Sequence, residues 1–180
     1  SSQVAIPYSY QNGNYVPYDH YGFADYPNGQ LRSTALDLGN FMIAYLNGGT
    51  LGSNTILTPA SVNEMLSLQL PLLDTTQGLN WYRTKLYHSG GEAMLWGHSG
   101  GEQGVSTYLY LDPQNDIGIC LLTNGEGDGL YICDELYDHA LNMTVDSSIS
   151  HNCSPTIGVN ELDFQKEEIV IYPNPTTDIV

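Results

Sequence analysis

Cations are scarce in this chain of 180 residues. Arg32, Arg83, Lys85 and Lys166 stand against 20 acidic residues, for a formal net charge of −16 at pH 7. A surface so charged repels phosphate backbones and anionic lipid, which excludes nucleic acid and membrane surfaces as favoured partners. Long apolar runs are missing too: nothing approaches the ~20 residues a helix needs to span a bilayer. The opening Ser1-Ser2-Gln3-Val4 has neither an initiator Met nor the basic-then-apolar layout of an export signal, so the chain reads as a processed or excised piece. Cysteine is sparse. Cys120, Cys133 and Cys153 are too far apart for a zinc cluster, and an odd number makes no disulfide framework. Cys120 lies in an apolar run and reads as a small core residue. Whether Cys133 and Cys153 pair in an oxidising compartment stays open. No metal or cofactor is called for.

What remains is globular in composition, 41% hydrophobic and 11% aromatic, and long enough for one domain or part of a larger one. The acidic, Tyr-rich, Lys-poor character suits a secreted protein. Residues 1–30 are rich in Tyr, Pro, Gly and Asn and read as loops with short extended pieces. Thr34 then caps a helix with Asp37 as its capping-box partner, and Leu38, Phe41, Met42, Tyr45 and Leu46 form its core stripe up to Asn47-Gly48-Gly49. Thr58-Pro59 opens a second helix, with Val62, Met65 and Leu66 on the buried side. A strand begins near Gly78 and runs to about Leu86. After Ser89-Gly90-Gly91, Ala93 to His98 is the next strand. Val105–Leu111 and Ile117–Thr123 form an antiparallel hairpin across Asp112-Pro113-Gln114-Asn115-Asp116. Asp128 caps a last helix in which Ile132, Cys133, Leu136, Ala140 and Leu141 share a side. The fold class is therefore α+β: an antiparallel sheet with flanking helices. Residues 143–158 read as a linker, and 159–180 as one strand and a tight turn.

Chemistry is expected at Trp96-Gly97-His98-Ser99-Gly100-Gly101. A His and a Ser precede two glycines, which leave backbone amides open to a ligand. Alone, these residues also read as a turn with a satisfied histidine. Gly97-His98-Ser99-Gly100-Gly101 fits the spacing of a Gly-x-Ser-x-Gly elbow. That device requires a helix opening at the serine, and here a strand follows, so Ser99 is not read as a nucleophile.

In order, Gly97-His98-Ser99-Gly100-Gly101, Gly104-Val105-Ser106-Thr107, Asp112-Pro113, Asp116-Ile117-Gly118-Ile119 and Thr123-Asn124 resemble the C-terminal part of the serine β-lactamase-related hydrolases. That superfamily includes penicillin-binding proteins, D-amino peptidases and esterases. Gly29-Gln30-Leu31-Arg32-Ser33-Thr34-Ala35-Leu36-Asp37-Leu38 and Leu57-Thr58-Pro59-Ala60-Ser61-Val62-Asn63-Glu64-Met65-Leu66 resemble the same family; the resemblance covers roughly residues 15–142 and implies a hydrolase portion over 1–142. The resemblance implies that His98-Ser99-Gly100 is the third motif, K-T-G or H-x-G in the family. His98 would then be a polar or proton-relay group, Ser99 a substrate hydrogen-bond donor, and Gly100-Gly101 the oxyanion edge with Gly101 giving the amide. Tyr18, His20 and Tyr21 would line the cleft, and Trp96 would form a wall of it.

The family's Ser-x-x-Lys, in which the lysine takes the serine's proton, occurs nowhere in the sequence. Tyr-x-Asn recurs in the sequence, as at Tyr10-Gln11-Asn12, Tyr45-Leu46-Asn47 and Tyr172-Pro173-Asn174, and these matches are read as chance. The resemblance thus implies the C-terminal fragment of a hydrolase whose nucleophile and base lie upstream, inactive by itself, with a small-molecule or peptide substrate. Ile171-Tyr172-Pro173-Asn174-Pro175-Thr176 resembles the start of a type IX secretion sorting domain of Bacteroidetes. It implies a secreted or cell-surface protein and contact with secretion machinery. Two other readings stay open: a non-catalytic ligand-binding module, and a structural domain of an adhesin with no cleft beside His98.

Overall fold

The computed structural model describes residues 4–22 and 29–143. The chain divides into two units, 1–143 and 144–180; all described residues lie in the first. The linker and sorting-domain expectations, Cys153, and Asp25 to Asn28 fall outside the described residues.

A tight hairpin comes first, β1 (Tyr8–Gln11) against β2 (Asn14–Pro17). Helix α1 (Ala35–Leu46) starts where Thr34 Oγ1 accepts the Asp37 N–H at 3.1 Å, and its own hydroxyl donates to the Asp37 carboxylate at 2.8 Å. A two-residue ladder follows, β3 (Thr50–Leu51) with β4 (Asn54–Thr55). Helix α2 (Pro59–Met65) is capped by Thr58, whose hydroxyl oxygen accepts from the Ser61 N–H, and Pro59 occupies the first turn.

The main sheet is antiparallel in the order β5 (Tyr82–His88), β6 (Gly91–Glu102), β7 (Val105–Asp112), β8 (Ile117–Thr123), and α3 (Leu130–Asn142) completes the unit. Both sheet faces are covered. Leu86, Leu95, Tyr110 and Ile119 bury one face against Cys133 and Tyr137 of α3. Trp81, Trp96, Leu109, Leu111 and Cys120 pack the other face against Met42 and Tyr45 of α1 and Val62 of α2. This is the expected α+β arrangement, with four strands in the sheet.

Some local expectations are corrected. Gly78 to Trp81 form a turn and not strand, closed by Gly78 N–H to the Trp81 carbonyl at 2.8 Å. Strand β6 runs on past His98 through both glycines to Glu102, because Gly100 and Gly101 pair with Thr107 and Ser106 of β7. The reversal comes at Gln103-Gly104, where Gly104 has φ +71° and a side chain would strike Tyr8 and Pro7. On α3, Tyr137 is buried and Leu136 exposed. The Tyr137 hydroxyl donates to Asp112 Oδ2 at 2.6 Å, and this buried bond turns that position inward. Asp128 accepts the Leu130 N–H at 2.9 Å, but the cap residue itself is Gly129, whose N–H donates to the Tyr108 hydroxyl at 2.9 Å.

The outer edge of β5 is closed by side chains from α3. Asp134 accepts the Tyr87 N–H at 2.9 Å, and Asp138 accepts both the N–H and the hydroxyl of Ser89 at 2.7 Å. These bonds hold the Asp138 carboxyl below its usual range. An edge so capped is protected from pairing with another strand.

Candidate active site

Strand β6 has 12 residues and β5 only 7, and their pairing ends at Tyr82 opposite Gly97. Past that point β6 keeps β7 on one side and has lost β5 on the other. Backbone directions alternate along a strand, so the ladder tells which groups face the open side. Ser106 stands opposite Gly101 and turns away from it: its N–H goes to Thr123 Oγ1 at 3.2 Å, and its carbonyl accepts the Thr123 hydroxyl at 2.9 Å. Gly101 and Ser106 are therefore a non-hydrogen-bonded pair, and the Gly101 N–H points away from β7. The outer side of β5 agrees. Arg83 N–H bonds the Thr76 carbonyl at 2.8 Å, which leaves Tyr82 facing β6 and puts Gly97, Ser99 and Gly101 in one phase. Gly101 is exposed, and a Cβ there would have nothing within 4 Å. Two residues earlier, Ser99 is exposed as well.

His98 lies at the start of this open segment and is itself exposed. Its Nε2 is 2.7 Å from the Asn80 carbonyl oxygen. The ring lies 5.5 Å from that of Trp81 and meets the Tyr82 ring edge-on at 5.6 Å. Trp81 is buried, 4% exposed, and stacks at 6.4 Å on Phe41 of α1, so the floor under His98 is core. The side chains of Trp96 and His98 belong to the α1–α2 face, and that of Ser99 to the α3 face.

Trp96 is half-buried in the second core cluster, with the Arg83 guanidinium 5.6 Å over its ring. Tyr21 is half-buried, and its hydroxyl donates to the Gln103 carbonyl at 3.4 Å, beside the turn that ends the open segment. Tyr18 is close by in the fold. Its hydroxyl donates to Glu126 Oε1 at 3.0 Å, the oxygen that also accepts the Gly104 N–H at 3.1 Å. His20 Nδ1 accepts from Arg32 at 3.4 Å. The structure thus brings His98, Ser99, Gly100 and Gly101 onto one open strand segment and sets Tyr18 and Tyr21 at its far end. Trp96 sits in the packing beneath its near end. Asn80 was missed by sequence reading; its only signal was Asn beside a Gly78 turn, and it acts through a backbone atom.

A second hollow is lined by Tyr87, His88, Tyr131, Asp134, Glu135 and Asp138. Asp134 and Asp138 already bind backbone N–H groups of the β5 end. Among the described residues no His, Cys, Asp or Glu side chains group so as to hold a metal ion. No helix among them is long and apolar enough to cross a membrane. Cys120 and Cys133 are free thiols; burial first, then nearby Asp134, pushes Cys133 up to about 11.

The beta-lactamase family model matches residues 2–141. The chain belongs to the beta-lactamase family. Its α+β sheet with flanking helices is the serine-hydrolase-type fold of that family. No curated protein and no solved structure gives a significant match. The beta-lactamase match takes in the elements from the β1–β2 hairpin to α3, up to the last residue but one of that helix.

Proposed function

We propose that this chain supplies the third-motif wall of an acyl-transfer cleft in a secreted serine hydrolase acting on an amide or ester. The observation that carries the reading is the Gly101 N–H, which points to the open side of β6 and has no partner among the described residues. A tetrahedral intermediate of acyl transfer develops negative charge on oxygen, and a preset amide about 3 Å away stabilises it without reorganising. A Cβ at 101 would meet nothing within 4 Å, so the space around this backbone is open. Ser99, in the same backbone phase and exposed, is the substrate hydrogen-bond donor. His98, fixed at the mouth, is the polar group that meets the substrate or relays a proton. Tyr21 borders the far end, and Trp96 supports the near wall.

The serine and its base belong, in this reading, to upstream polypeptide of the same domain, because the sequence contains no Ser-x-x-Lys. The second reading is a non-catalytic module that keeps the cleft as a ligand groove. The family resemblance of the tail phrase Ile171-Tyr172-Pro173-Asn174-Pro175-Thr176 supports export through type IX secretion machinery. Labelling the whole protein with a fluorophosphonate or a penicillin probe and mapping the modified residue tests the proposal. Modification of an upstream serine supports it. Modification at Ser99 overturns the role assignment, and absence of labelling favours the binding module.

A further inference from the structure

We infer that Asn80 is the positioning residue of His98: its backbone carbonyl holds Nε2 as N–H and leaves Nδ1 as the ring atom that meets a ligand. The inference rests on the acyl-transfer reading for its role, and on geometry alone for its substance. A carbonyl oxygen only accepts, so the nitrogen 2.7 Å from it must carry the proton. A neutral imidazole has one N–H, and committing it to Asn80 leaves the lone pair on Nδ1. Nδ1 has no hydrogen-bond partner among the described residues, on a side chain that is exposed.

The carbonyl is aimed by a turn built for the purpose. Asn80 has φ +58°, the left-handed region that Asn tolerates better than other side chains. The turn is closed by Gly78 N–H to the Trp81 carbonyl, and pinned to α2 by Leu79 N–H to the Met65 carbonyl at 3.1 Å. Gly78 has to be glycine here, since a Cβ would meet Trp96 at 2.6 Å and the Met65 carbonyl at 2.8 Å. Three consecutive residues then hold one ring: Asn80 by its carbonyl, Trp81 from below and Tyr82 at the edge. A proton accepted at Nδ1 makes an imidazolium whose Nε2–H stays on Asn80. Returning that proton from Nδ1 to the leaving group restores the neutral ring, with no net proton gained or lost.

Nitrogen-15 NMR of the full chain, with His98 assigned by difference against His98→Gln, reads the tautomer directly. The expected neutral ring is protonated at Nε2 and bare at Nδ1, with a coupling across the hydrogen bond from Nε2 to the carbonyl carbon of residue 80. Asn80→Gly keeps the positive φ and should keep that coupling. Asn80→Val disfavours it and should lose the coupling, giving a mixed tautomer; should this variant not fold, the wild-type spectrum still decides. A ring protonated at Nδ1, or no coupling to residue 80 in the wild type, overturns the assignment whatever an acyl probe does. The expected spectrum in a protein that no acyl probe labels upholds the positioning and removes the hydrolase reading.

Discussion

Replacing Tyr137 by Phe deletes one oxygen from a buried polar cluster that fastens α3 to the sheet. Tyr137 is 1% exposed and Asp112 7%. Asp112 Oδ2 accepts the Tyr137 hydroxyl and the Asn115 side-chain amide, both at 2.6 Å, while Oδ1 accepts the Gln114 N–H at 3.0 Å. Hydrogen bonds to a charged group contribute about 1.5–3 kcal/mol net. Asp112 keeps two of its three partners in Tyr137→Phe, so the expected loss is about 2 kcal/mol. Asp112→Ala also strands a buried hydroxyl and releases the β7–β8 turn, and should cost about 3 kcal/mol or more. The two changes remove the same contact, so the double variant should lose less than their sum. Urea unfolding of the three variants reads this as lower midpoints at an unchanged slope. Tyr137→Phe within about 0.5 kcal/mol of the parent, the range of an ordinary surface change, would refute the assignment.

Gly97→Ala should break the sheet just ahead of His98, because a Cβ would overlap the Leu109 carbonyl oxygen and the Tyr110 ring. Overpacking of this kind costs about 1–3 kcal/mol or more, read as a lower melting midpoint. Amide hydrogen exchange should alternate along the open segment, slow at His98 and Gly100 and fast at Ser99 and Gly101. Alkaline pH should destabilise the fold. Burial raises Tyr110 and Tyr137 from 10.0 to about 12, the latter helped by Asp112. Raised folded values mean that stability is intact below pH 10, where the unfolded rings are also neutral, and is lost as pH rises toward 12. Unfolding monitored against pH should show this loss reduced in Tyr137→Phe.

The helix starts were legible because capping is local chemistry. Thr34 with Asp37, and Thr58 with Pro59, put their partners within three residues. The later strands were legible from turn residues and apolar runs. The β1–β2 hairpin was not, although Asn12-Gly13 carries positive φ at both positions and is a strong turn signal. Six of its eight strand residues are exposed and the buried one is Ser9, so no apolar core face marks them. Leu136 looked like the buried residue because a helical stripe is uncertain by one position. What settles Tyr137 is a carboxylate 25 residues away. His98 to Gly101 could be named from the motif, but their opening follows from unequal lengths of β5 and β6. The grip of Asn80 on His98 spans 18 residues and uses a backbone carbonyl, which no side-chain pattern records.

Gly101 in the whole protein carries the central claim. Gly101→Ala keeps the N–H and meets open space, whereas Gly101→Pro removes the N–H without breaking a ladder bond to β7. Acylation by a penicillin or ester probe should stay near the parent rate in Gly101→Ala and fall about 10²–10³-fold in Gly101→Pro. A folded Gly101→Pro protein that acylates at the parent rate would contradict the account.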